Sequence, residues 1–183
     1  MVQSPPSLES LSSLLTARAL PPVHLWNPTH CGDSDMRIAV DGTWFHQGTP
    51  IGRPALVKLF STILRREADD SYVLVTPHEK LDIAVDDAPF VAVAVESRGE
   101  GAARDLQFRL NTGDLVTAGP DHVVRVDQAD DGTPRPYLHV RSRLEALINR
   151  PVFYELADLA LAEAPEHPGI WSGGVFFPFQ EPR

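Results

Sequence analysis

The feature that most constrains this chain is a motif that occurs twice, each time at the mouth of an apolar run. Ile51-Gly52-Arg53-Pro54 leads into Leu56, Leu59, Phe60, Ile63 and Leu64. Ile148-Asn149-Arg150-Pro151 leads into Phe153, Leu156, Ala157, Ala160 and Leu161. Proline suits the first helical position, where its missing N–H has no partner to lose, and the residues behind it follow the spacing of one buried helical stripe. A similar strand signal precedes each copy: Asp41-Gly42-Thr43 with Trp44-Phe45-His46, then Asp131-Gly132-Thr133 with Tyr137-Leu138-His139. Several elements recurring in one order predict an internal duplication of an α+β unit. Two copies are too few for a solenoid.

Residues 7–20 carry Leu8, Leu11 and Leu15 on one helical face behind Ser7, and Pro21-Pro22 end the pattern. Asp41-Gly42 predicts a two-residue type I′ turn that pairs Val40 with Thr43. That register puts Ile38, Val40, Thr43 and Phe45 on a core face and Arg37, Ala39, Trp44 and His46 on the other. Arg65 and Arg66 suit the C-terminal end of the first helix. From residue 72 onward short apolar or alternating runs predict strands: 72–76, the alternating Leu81, Ile83, Val85 stretch, 89–97, the alternating 105–110, 123–126 and 137–140. Ser142-Arg143-Leu144-Glu145 has capping-box form and predicts a short helix. Residues 169–179 close the chain as an extended segment. The expected division is an N-terminal helix and linker over 1–22, a first unit over 23–80 and a second, β-rich unit over 81–183.

Composition bounds what such a protein does. With 183 residues and 43% hydrophobic content the chain has material for a globular interior. A formal charge of −9 argues against bulk binding to a nucleic-acid backbone. No apolar run reaches the roughly 20 residues of a membrane span, and MVQSPPSLES lacks the form of a secretory signal. Cys31 is the single cysteine, so no internal disulfide forms, which suits a reducing compartment. The expected location is the cytoplasm.

DGTWFHQGTPIGRPALVKLF, followed by YVLVTPHEK and VDDAPF, resembles the bacterial family catalogued as domain of unknown function 1285. PPVHLWNPTHCGDSDMRI resembles its N-terminal signature and RSRLEALINRPVFYELADLA its C-terminal one. The resemblance implies two related units, the second a curved, mainly antiparallel sheet with a C-terminal helix, loosely like a pleckstrin-homology fold. It also implies a ligand site between the units and a part in signalling, though likeness of fold does not transfer function. Where the family shows T-P-V-E-K this chain has Thr76-Pro77-His78-Glu79-Lys80, which sets His78 aside.

Four constellations carry chemistry. Trp44/His46 and Tyr137/His139 form two aromatic–histidine faces suited to stacking a planar ligand and bonding its polar edge, or to packing one unit on the other. Arg53 and Arg150 stand beside helix N-termini, where a guanidinium and backbone N–H groups hold a phosphate or carboxylate, or where the arginine is an ion-pair partner. Glu79 and Lys80 suit a polar clamp or an acid/base pair, or a turn with a surface ion pair. His30-Cys31-Gly32-Asp33-Ser34-Asp35 holds ligand-type residues without the spacing of a zinc site or a calcium loop. The chain also lacks the P-loop, dinucleotide, zincin and nucleophile-elbow motifs.

These readings predict a cytoplasmic binding module that senses a small anionic or nucleotide-type ligand, without a cofactor or metal. Its expected ligand-binding residues are Trp44, His46, Arg53, Glu79, Lys80, Tyr137, His139 and Arg150. The alternatives are an enzyme with His46 or Glu79 as acid/base and a protein-interaction adaptor.

Overall fold

The computed structural model describes residues 20–179, so the helix expected over residues 7–20 lies, but for its last residue, outside the described residues. Two units divide the chain. The first comprises residues up to 39 together with 43–86, and the second comprises 40–42 and 87 onward.

In the first unit the strands are β1 (His30–Ile38), β2 (Trp44–His46), β3 (Thr49–Pro50), β4 (Leu64–Arg66), β5 (Tyr72–Val75) and β6 (Lys80–Val85), with helix α1 (Pro54–Thr62) between β3 and β4. They form a six-stranded sheet in the order β3-β2-β1-β6-β5-β4. Every neighbouring pair is antiparallel except the central one, β1 beside β6. Because β6 pairs with both β1 and β5, the first unit extends past the boundary expected after Lys80.

The register of the first hairpin differs from the expected one by one residue. Ile38 lies opposite Trp44 and Arg37 opposite Phe45. The loop is Val40-Asp41-Gly42, closed by the Ala39 N–H donating to the Thr43 carbonyl at 2.9 Å, with Gly42 at φ 85°. This is a three-residue loop ending in a left-handed glycine rather than a two-residue turn. One residue of slip exchanges the faces. Ile38 and Trp44 are therefore buried together, while the Arg37 guanidinium lies 5.2 Å from the centroid of the Phe45 ring.

Helix α1 starts at Pro54, as its sequence predicts, but stops at Thr62. The hydroxyls of Ser61 and Thr62 bond back to the carbonyls of Lys58 and Leu59, each at 2.7 Å. Two β-branched residues, Thr62 and Ile63, follow Ser61, and this run favours extended backbone. Ile63 and Leu64 are buried as expected, but Leu64 is buried from strand β4. Arg65 and Arg66 accordingly lie in β4 and do not end the helix. Arg65 Nη1 instead bonds the carbonyls of Val23 and Trp26 at 2.7 and 2.6 Å, tying down the N-terminal segment.

The second unit contains β7 (Phe90–Arg98), β8 (Asp105–Leu110), β9 (Leu115–Thr117), β10 (Val124–Gln128), β11 (Pro134–Arg141) and β12 (Leu144–Ile148). Helix α2 (Arg150–Glu163) and the hairpin β13 (Gly169–Ser172) and β14 (Val175–Pro178) complete it. The sheet order is β10-β11-β12-β7-β8-β9, again with one parallel pair, β12 beside β7, at the centre. Leu106, Phe108 and Leu110 bury one face of β8, as their alternation predicts. The helix expected from Ser142 is absent. Ser142 adopts φ 49° in the β11–β12 turn, and Leu144, Ala146 and Ile148 are buried at strand period. That alternation outweighs the local capping pattern. Arg104, 3% exposed, donates to both carboxylate oxygens of Glu163 and so joins the chain before β8 to the end of α2.

The two sheets have one topology. Numbered within its own unit, each runs 3-2-1-6-5-4 with strands 1 and 6 parallel. The duplication is therefore real, but the recurrent motif does not mark equivalent places in it. Asp41-Gly42-Thr43 joins the first two strands of its unit, and Asp131-Gly132-Thr133 joins the fourth and fifth. Helix α1 follows a third strand and α2 follows a sixth. What recurs in the sequence is a smaller module, a three-stranded meander with a D-G-T turn that ends in a proline-opened helix.

Candidate functional site

The second such module builds a pocket. Its turn repeats the geometry of the first: the Ala129 N–H donates to the Thr133 carbonyl at 2.9 Å, with Gly132 at φ 80°. The Asp131 carboxylate accepts the Thr133 N–H at 2.9 Å, which orients it on the turn. Its pKa is held below the ordinary carboxylate range, first by the Thr133 side chain, then by that backbone bond, with the Arg150 charge contributing. Beside the turn, Arg135 on β11 donates to Asp87 at 2.7 Å, and the Tyr137 hydroxyl donates to the other oxygen of Asp87 at 2.7 Å. Burial, followed by this bond to Asp87, pushes the Tyr137 phenol up to about 12.

Helix α2 opens next to these groups. Asn149 is its N-cap and accepts the Val152 N–H at 3.1 Å, satisfying one of the free donors of the first turn. Arg150 is the first helical residue and exposed. Between turn, strand ends and helix lies a cavity of about 310 Å³. Asp131, Thr133, Arg135, Asn149 and Arg150 supply its polar lining, and Pro134 and Phe153 are among its apolar walls. Among the described residues the Arg150 guanidinium makes no hydrogen bond or ion pair, so it is available to an anionic group.

Of the eight residues singled out from the sequence, five lie in the first unit and three in the second, and each has its own surroundings within its unit. Trp44 is 1% exposed, stacked with Phe60 at a centroid separation of 6.4 Å, and its ring is core rather than a ligand platform. His46 is exposed at the end of β2, opposite Met36. Arg53 is the exposed N-cap of α1 and makes no side-chain capping bond. In the β5–β6 turn the Glu79 backbone bonds Thr76 from both N–H and carbonyl, while Lys80 reaches Glu67 at 3.7 Å. Glu79 and Lys80 thus have separate roles, and no hydrogen bond links Glu79 to His46 among the described residues.

Tyr137 is 7% exposed, with the Arg125 guanidinium 4.4 Å from its ring centroid. Both ring nitrogens of His139 face carbonyls, Asp121 O at 2.8 Å and Ser142 O at 2.7 Å. It is thereby engaged by the loop and turn beside its strand. Of the eight, only Arg150 lines the pocket. Asp131, Arg135, Asn149 and Phe153 were not singled out. The Asp-Gly-Thr turn and the Asn in I-N-R-P were the available signals, each explicable by folding alone. No group of three or more His, Cys, Asp or Glu is placed to hold a metal ion among the described residues. No helix among them is long and apolar enough to cross a membrane.

By fold and site this is a duplicated α+β protein of two six-stranded sheets with a small, partly polar pocket in the second unit. The chain belongs to the DUF1285 family. The model described as "Domain of unknown function (DUF1285), N-terminal domain" matches residues 21–88. That described as "Protein of unknown function (DUF1285), C-terminal domain" matches residues 89–179. The chain is similar to a DUF1285 family protein from Silicibacter pomeroyi DSS-3 of known crystal structure, with 53% identity over 93% of this chain and 92% of that one and a TM-score of 0.83. It is also similar to one from Shewanella baltica OS155, with 29% identity over 67% of this chain and 90% of that one and a TM-score of 0.53. No curated protein matches the chain.

Proposed function

We propose that the second unit binds a small organic molecule carrying an anionic group, and that its occupancy serves a regulatory or signalling role in the cytoplasm. The supporting observation is the cavity beside α2, lined by the Arg150 guanidinium, which is unpaired among the described residues, and by apolar side chains. At about 310 Å³ it stands at the low end of ligand pockets, roughly 300–1,000 Å³. That size suits a single metabolite or mononucleotide and not a dinucleotide. Arg150 supplies charge-assisted donors, and Asn149 relieves the helix end of part of its own demand for an acceptor.

A thermal-shift and calorimetric screen of carboxylates, phosphorylated metabolites and nucleoside monophosphates tests this reading. One class is expected to stabilise the protein, and Arg150→Gln to weaken that binding about tenfold, roughly 1.4 kcal/mol. Stabilisation by no member of the panel, or binding unchanged in Arg150→Gln, would overturn it.

A further inference from the structure

We infer that this pocket selects a zwitterion, an α-amino acid with an apolar side chain, taking its ammonium at Asp131 and its carboxylate at Arg150. The inference rests on the proposal that the pocket is a binding site, and adds what the site prefers.

Three ionised side chains line the cavity: Asp131, Arg135 and Arg150. Arg135 is already committed to Asp87 at 2.7 Å, which leaves one negative and one positive group. These two act on each other electrostatically, yet no direct ion pair within 4.0 Å joins them among the described residues. Asp131 is aimed by the Thr133 N–H rather than by Arg150. Two opposite charges thus share one small cavity without neutralising each other by contact.

This pattern ranks ligand classes. A simple anion gains Arg150 but meets the Asp131 charge, and a phosphate dianion meets it twice over. A simple amine gains Asp131 and meets Arg150. A zwitterion satisfies both, and discrimination comes as much from the repulsion against the wrong ligand as from attraction to the right one. Because Asn149 already caps α2, the guanidinium rather than the bare helix end is the carboxylate partner. Pro134, Pro136, Leu147 and Phe153 supply an apolar wall for the side chain.

Isothermal calorimetry on the full chain tests the assignment. The probes are L-phenylalanine and L-leucine, the deamino acids 3-phenylpropanoate and 4-methylpentanoate, and the amines 2-phenylethylamine and 3-methylbutylamine. The proteins are wild type, Asp131→Asn and Arg150→Gln. Asparagine still offers Thr133 a side-chain oxygen, so a melting temperature within a few degrees of wild type is expected. At least one amino acid is expected to bind about tenfold or more tighter than its deamino acid and its amine. Asp131→Asn should erase the advantage over the deamino acid, and Arg150→Gln the advantage over the amine. Deamino acids binding as tightly as amino acids, or amino-acid binding untouched by Asp131→Asn, would overturn the zwitterion and leave the proposed anion site standing. Binding confined to phosphorylated metabolites or mononucleotides would do the same. Absence of any binding that depends on Arg150 would overturn both.

Discussion

The two copies of I-x-R-P open helices of opposite character. In the first unit the helix begins at the proline, and its N-cap, Arg53, makes no side-chain capping bond. In the second the helix begins one residue earlier, at Arg150, and Asn149 is a working cap. The aromatic position of the motif diverges in the same way. Trp44 is held by packing on Phe60, with no hydrogen-bond partner at its Nε1 among the described residues, whereas Tyr137 is held by its hydroxyl bond to Asp87 and by Arg125 over its ring. One local sequence pattern therefore gives an apolar anchor in one place and a polar, pocket-forming edge in the other. The residues around each motif, such as the second aspartate of Asp130-Asp131 and the asparagine of I-N-R-P, make the difference.

The sharpest break comes from the apolar copy. Trp44→Ala removes a large ring from the first unit's core and is expected to cost about 3–5 kcal/mol in urea unfolding followed by circular dichroism. A loss below about 1 kcal/mol would mean that the ring does not anchor the core of the first unit.

The polar copy should respond less, but through pH. Tyr137→Phe leaves Asp87 without one donor and is expected to cost about 1–3 kcal/mol. In the folded protein the phenol titrates at about 12 against 10.0 for the unfolded chain. A raised folded pKa contributes stability that is complete below the unfolded value and lost as pH rises through the folded one. Wild type should therefore lose stability between pH 10 and about 12, a component that Tyr137→Phe lacks. Absorbance titration of tyrosinate should show one late tyrosine in wild type only.

The helix caps are next. Asn149→Ala should destabilise by about 1 kcal/mol, since it strands the Val152 N–H at the start of α2. Arg53→Ala, at a cap without a capping bond, should stay within about 0.5 kcal/mol of wild type by the same unfolding measurement. Equal effects at the two positions would erase the distinction between the helix mouths.

Much of the fold is legible from residue order. Strand β8 follows from alternation and β5 and β11 from short apolar runs, both helix starts follow from proline to within a residue, and family membership follows from the run of motifs along the chain. The failures share one cause, a local rule overruled by a neighbouring pattern. The capping box at Ser142 lost to the buried alternation of Leu144, Ala146 and Ile148. The helical stripe through Ile63 and Leu64 lost to the hydroxyl back-bonding of Ser61 and Thr62 and to the pairing of Leu64 with Leu74. The two-residue turn at Asp41-Gly42 lost to a three-residue loop, and that single slip moved Trp44 from an expected open face into the core. The candidate site was legible only at Arg150, because Asp131 and Asn149 each look like ordinary turn and cap residues until the turn and the helix mouth are seen to share a cavity.

By itself the sequence determined that the chain is α+β and duplicated, where both helices open, and that it belongs to its family. Those properties reside in local periodicity, in proline's fixed φ and missing N–H, and in the order of short motifs. Tertiary structure decided that the duplication is of six-stranded sheets joined through a parallel central pair, and that the recurrent motif falls at non-equivalent strands of the two. It also decided how each buried aromatic is held and which charges stay unpaired beside a cavity. Strand pairing and burial depend on contacts between residues far apart in the chain, which local patterning constrains but does not choose.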